Sequence, residues 1–200
     1  MAILDRNTRW SLHFYKAEEL IHTINWDVRD DLPALDGVSK DFVRQHFRKW
    51  VLGPATAQET EGEDAFPVWR WSHGYRHAPV SRYRYCVYVD EDVLRSVLDA
   101  DDGIRNFEGE LQGYLDVLDA EWEPPTQQPE TNDSVTDQND GEDEVYDPVD
   151  DGEEPVDGCK LYNVGWMRIE STCLMPTAYA MFNIGAWHIN YQRPPTVVYI

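Results

Sequence analysis

Cysteine is scarce in this chain: Cys86, Cys159 and Cys173 are the only three in 200 residues, with no C-x-x-C pair among them. So sparse and odd a set builds no disulfide framework and fits a reducing compartment. Long apolar runs are missing too. Nothing approaches the roughly 20 residues that span a bilayer, so no membrane partner is expected. The first ten residues are charged from Asp5 onward and hold no apolar run of seven. No secretion signal is read there, and a cytoplasmic or nuclear location is expected. Lys and Arg vanish altogether from residues 123–157, which carry fourteen Asp and Glu. That segment holds −14 of the formal net charge of −21. The acidity therefore belongs to one stretch, and it argues against general nucleic-acid binding by the whole chain.

Signatures of chemistry are equally thin. Neither G-x-x-x-x-G-K nor G-x-G-x-x-G occurs, so no phosphate-cradling loop is read and no cofactor is expected. There is no G-x-S-x-G, and Cys86 lacks the glycine context of thiol nucleophiles. Set in a strand among aromatics, it reads as a buried, unreactive thiol. His73 and His77 are spaced i, i+4, but Gly74 and Pro79 argue against the helix that would pair them; Cys86 or His188 would have to supply a distant third ligand. Both read as surface residues. The stretch Asp147-x-Val149-x-Asp151-Gly152 has an EF-hand glycine in place, yet Val149 stands at a ligand position and Gly158 where a bidentate Glu is required. No metal ligand is assigned, and no catalytic residue.

What is present is aromatic. Eight Trp, eleven Tyr and a hydrophobic share of 42% suffice for a core rich in rings. The clearest stretch runs from Arg82 to Leu98. Tyr83, Tyr85, Val87 and Val89 alternate with Arg82, Arg84, Cys86 and Tyr88, the period of a strand with one apolar side. Val93, Leu94, Val97 and Leu98 then form a helical stripe, with Asp90 as its cap and Glu91 and Asp92 complementing the helix dipole.

The remaining elements follow in order. Residues 10–15 predict a first strand and 17–25 a helix. Ser39 is placed to cap a helix whose stripe is Phe42, Val43, His46, Phe47, Trp50 and Val51, stopped by Gly53-Pro54. Residues 67–71 predict a short strand and 113–122 another, with a helix as the alternative for the latter. Residues 161–169 predict a strand, and Pro176 opens a short helix through Phe182. The tail 193–200 is too apolar for a free end and is expected to pack down as a terminal strand. Residues 123–157 bury too little to offset an ordering entropy of roughly 1–2 kcal/mol per residue, and they read as a disordered acidic insert. The fold expected is α+β: a small mixed sheet with helices mainly on one face, residues 1–122 and 158–200 forming one domain around the insert.

Asp36-Gly37-x-Ser39-x-x-x-Val43-Arg44-x-x-Phe47-x-x-Trp50 is one block. Val89-Asp90-x-x-x-Leu94-x-Ser96-Val97, Gly165-Trp166-Met167 and Pro194-Pro195 are others. Together, with the acidic insert between them, they resemble a group of uncharacterised proteins of filamentous fungi. The blocks cover about a third of the chain. The resemblance implies an intracellular protein with one α+β domain and brings no catalytic residues with it.

One stretch suggests recognition. Trp69, Arg70, Trp71, Arg76, Arg82 and Arg84 interleave with Tyr75, Tyr83, Tyr85, His73 and His77. Rings stack on bases while Arg pairs with phosphate, so a single-stranded nucleic-acid reader would use this composition. A strand pair with its aromatics inward and its arginines in water would use it equally, and is preferred. The function expected is therefore non-catalytic binding of a protein partner through this aromatic and arginine surface; the acidic insert reads as a solvated spacer first and as a screen over that surface second. A single-stranded nucleic-acid binder stands second, and a small enzyme whose site is scattered along the chain third. Oligomeric state is not legible.

Overall fold

The structure, a computed structural model, describes residues 2–24, 26–59, 81–100, 113–123, 151–183 and 186–199. Its organising element is a four-stranded sheet in the order β1 (Tyr85–Tyr88), β2 (Tyr114–Asp119), β3 (Trp166–Glu170) and β4 (Val197–Val198). The first three strands are antiparallel, and β4 joins β3 in parallel. The fold is α+β, as the alternating elements imply.

Register fixes what each face carries. Val87, Val117 and Met167 stand in one row and Leu115 and Ile169 in the next, so these side chains share a face with Tyr85 and Val198. That face holds the larger core, closed by Leu4, Val93, Phe182, Trp187 and Tyr191. These come from α1 (Ala2–Phe14), α6 (Glu91–Asp99), α7 (Tyr179–Asn183) and α8 (Trp187–Asn190), with Tyr191 just past the end of α8. Tyr85 stacks on Trp187 with centroids 4.8 Å apart. The opposite face carries Cys86 beside Leu118 and Trp166, and Tyr88 beside Asp116 and Arg168. It packs more thinly, against Val43 of α3 (Lys40–Val51) and Val156 and Val164 of the segment before β3.

Helix α3 forms where its cap and stripe predict it, the Phe42 amide donating to Ser39 Oγ at 3.2 Å. Helix α6 begins on Asp90, whose Oδ1 accepts from the Val93 amide at 2.9 Å. Shorter elements connect these: a 3-10 turn at Glu18–Thr23, α2 (Leu32–Leu35), α4 (Pro54–Glu59) and α5 (Ser81–Arg84). Residues 114–119 are a strand, settling that choice. Among the described residues no helix is long and apolar enough to cross a membrane.

Several elements differ from their expected form. Residues 10–14 are the end of α1, a helix, and Tyr15 lies in the turn after it. Arg82, Tyr83 and Arg84 form the helical turn α5, so the central strand begins at Tyr85. Strand β3 begins at Trp166, after a turn of its own. Pro176 lies in a wide turn, Leu174–Ala178, ahead of α7. The expected strand at 67–71 and residues 124–150 of the acidic segment lie outside the described residues. The rest of that segment, Glu123 and Asp151 to Asp157, is described and takes part in contacts given below.

Candidate functional site

Of the residues singled out for binding, Trp69, Arg70, Trp71 and Arg76 lie outside the described residues. Arg82 and Arg84 are described, and their settings differ. Arg84 closes a fork on Asp119, its Nε donating to Oδ1 at 3.0 Å and its Nη2 to Oδ2 at 2.7 Å, with Glu121 at 3.5 Å. Burial works against the guanidinium charge, but Asp119 outweighs it and raises the arginine pKa above its ordinary value. Arg84 thus ties α5 to the end of β2. Arg82 instead lies over the ring of Trp50, 5.7 Å from its centroid. Trp50 contacts Phe47 at 5.4 Å and the buried Tyr83 at 6.3 Å. The last turns of α3 and the turn of α5 therefore present a small layer of aromatic rings capped by arginine. Tyr83 and Tyr85 are sealed into the core beneath it.

At the other end of α3 opens a cleft of about 730 Å³. Its walls are the start of α3, the end of β1 at Tyr88, Trp122 just past the turn that follows β2, and the segment 156–164. Trp166 closes it from the sheet. Arg44 holds two of these walls together: its Nε donates to the Asp119 carbonyl at 3.2 Å and its Nη2 to that of Val164 at 3.1 Å, while Nη1 pairs with Asp41. The same guanidinium lies 4.9 Å from the centroid of Trp122. Tyr88 donates its hydroxyl to the Val38 carbonyl at 3.3 Å.

Beneath the cleft sits an ionic row that the alternation of β2 alone does not reveal. Asp116 is wholly buried, and among the described residues neither of its oxygens accepts a hydrogen bond. Lys40 Nζ stands 3.6 Å from one oxygen and Arg168 Nε 3.4 Å from the other. Lys40 reaches outward as well, to Asp157 at 3.3 Å. Its ammonium is 4.0 Å from the Trp166 centroid and 5.2 Å from that of Tyr88, within the range of cation–π attraction. Burial raises the Asp116 pKa to about 6, partly opposed by Lys40 and Arg168 and assisted by Asp90. The sequence signal for this row was a carboxylate inside a strand whose alternation is poor; its partners, 76 residues before and 52 after in the chain, were not legible.

Burial pushes the Cys86 thiol up to about 12, against the pull of Arg44, which disfavours its thiolate. Among the described residues no group of His, Cys, Asp and Glu is arranged to hold a metal ion. No family model, no curated protein and no solved structure matches this chain.

Proposed function

We propose that this protein acts by binding another protein, through an aromatic and arginine surface built on the last turns of α3 and on α5. Trp69, Arg70, Trp71 and Arg76, which the sequence reading groups with Arg82 and Arg84, lie outside the described residues. The observation that supports this reading is the stacking of Arg82 on Trp50. Trp and Arg are the residues on which interface energy concentrates, because a ring and a planar cation bury large areas at small entropic cost. Arg84 serves the surface from beneath, fastening the turn that displays Arg82. Single-stranded nucleic acid is the second reading, since the same stack can hold a base against a phosphate; the net charge of −21 works against it. The acidic stretch acts as a screen over the surface, and the working compartment is the cytoplasm or nucleus.

Recovery of partners from a native extract by the full chain, by R82E and by a chain lacking 124–150, each with and without nuclease, tests the proposal. A discrete protein is expected to survive nuclease, to fall at least about tenfold with R82E, the loss of a charged hot spot, and to rise when 124–150 is removed. Equal recovery by R82E removes the surface from the account. Loss on nuclease treatment transfers it to nucleic acid.

A further inference from the structure

Asp116 stands at the middle of a charge row drawn from several elements. Register sets it beside Tyr88 of β1 and Arg168 of β3, on the thinly packed face of the sheet. Lys40 comes down on it from α3, 3.6 Å from one oxygen, and Arg168 Nε stands 3.4 Å from the other. Asp157, on the segment before β3, takes the far side of Lys40 at 3.3 Å. Asp90, just past β1, adds a further negative charge that acts on Asp116. Glu170, further along β3, is occupied by Cys173, whose thiol donates to it at 3.4 Å. The two carboxylates that share Lys40 are held unequally. Asp157 is 56% exposed and keeps its water, whereas Asp116 is 1% exposed and its oxygens accept no hydrogen bond among the described residues. Asp116 relies on its counter-ions alone, and burial favours its neutral form as acidity rises.

The position of Lys40 depends on that charge. Its ammonium covers the rings of Trp166 at 4.0 Å and Tyr88 at 5.2 Å, both of which line the cleft. While Asp116 is ionised the row is balanced, and Lys40 is drawn down over the rings. A proton on Asp116 leaves Lys40 and Arg168 as two cations in one buried place, with only the outlying Asp157 and Asp90 against them. Arg168 is fixed, rising from the middle of β3 and lying 4.3 Å from the Tyr114 centroid. Lys40 can leave. It is the first residue of α3, carries a four-carbon stem, and has its other partner, Asp157, on the solvent side. We infer that Lys40 is an acid-released cover over the aromatic floor of the cleft, closed while Asp116 is ionised and swung out toward Asp157 and water when Asp116 takes a proton. In the open state the ammonium exchanges its ring contacts for hydration, so neither position strands a bare charge. Burial holds the Asp116 pKa at about 6, which places the movement between mildly acid and neutral solution. The cover lies at the opposite end of α3 from Arg82 and stands or falls separately from the surface proposed above.

Proton NMR of the full chain from about pH 4.5 to 8 tests the inference, with the Lys40 ε-methylene assigned by its loss in K40R. Against the Trp166 ring these protons are shielded by the ring current; in water they are not. They are expected to be shielded at neutral pH and to lose that shielding on acidification, with a midpoint near 6. A midpoint in the ordinary carboxylate range, about 4, would assign the movement to an exposed acid, and no movement would mean that the rings alone hold Lys40. Either result overturns the cover. D116N removes the charge at every pH and is expected to leave Lys40 unshielded throughout; persistent shielding there overturns it as well. D157N is expected to keep the step near pH 6, and loss of the step would transfer the switch to Asp157. The coupling is reciprocal, since Lys40 opposes protonation of Asp116. K40M is therefore expected to raise the midpoint of the Asp116 carboxyl carbon, and an unmoved midpoint would sever the two groups. If D116N fails to fold, the native titration and K40M still decide the matter.

Discussion

Asp116 carries a carboxylate into a sheet face where two cations approach it and neither completes a hydrogen bond. Burial lifts its pKa from 3.8 to about 6, so the folded chain holds this proton more tightly than the unfolded one. Below about pH 4 both states are protonated and the group contributes no difference. Between about pH 4 and 6 the folded state binds more protons, and stability falls as pH rises. Above about 6 the full cost is present, of the order of 3 kcal/mol for a shift of this size. Asp116→Asn removes the titration. Chemical denaturation of both proteins at pH 4 and pH 7.5 is therefore expected to show the variant gaining on the native chain by roughly that amount at the higher pH. Parallel stabilities at the two pH values would mean that the ion pairs with Lys40 and Arg168 compensate the burial fully.

At the scale of elements, legibility followed how local the determining contacts are. Helices α3 and α6 were read correctly because a cap residue and an apolar stripe lie within one short stretch, and both caps are made. Helix α1 stands where its sequence predicts a strand, for a reason visible in its packing. Trp10 and Phe14, four residues apart, stack on its outer side with centroids at 5.6 Å, while Leu4, Thr8, Ser11 and Leu12 turn inward. Apolar residues thus stand at 10, 12 and 14, and two helical faces imitate the alternation of a strand. Strand β3 begins later than the apolar pattern of 161–169 predicts because of one glycine. Gly165 takes φ +74°, and a Cβ there would stand 2.3 Å from the ring of Trp122. Gly165→Ala is expected to cost about 3 kcal/mol, combining a left-handed backbone with a clash against a ring that Arg44 also holds. Gly152→Ala is the control: φ is +77° but nothing lies within 4 Å, so only the backbone cost of about 1–2 kcal/mol applies. Urea midpoints of the two variants that coincide would remove the Trp122 contact from the account. The cleft was not legible, because Lys40, Tyr88, Asp116 and Trp166 meet only through strand register and helix docking.

Across the whole molecule, the chain's last residues determine whether the cleft has a second wall. The tail packs down as expected: Val198 is buried, and β4 completes the sheet beside β3. Arg193, just before it, reaches back over the end of the acidic segment. Its guanidinium donates to the carbonyls of Glu154 at 2.5 Å and Cys159 at 3.1 Å and to that of Leu161, with Glu153 at 3.8 Å. Tyr191 adds a hydroxyl that donates to the Tyr162 carbonyl at 3.1 Å and accepts from the Val164 amide at 2.9 Å. The wall from 154 to 164 makes few regular backbone bonds of its own, chiefly the Val156–Cys159 bridge. Its order therefore depends on side chains from the tail. Arg193→Ala leaves the carbonyls of Glu154 and Leu161 to find water and removes a packed guanidinium, while the sheet and the larger core stay in place. Amide exchange is expected to quicken by at least about tenfold across residues 153–162, the loss of charge-assisted bonds worth about 1.5 kcal/mol or more. Protection in β2 and α7 should hold. Unchanged exchange at 153–162 would mean that Tyr191 alone fixes the wall.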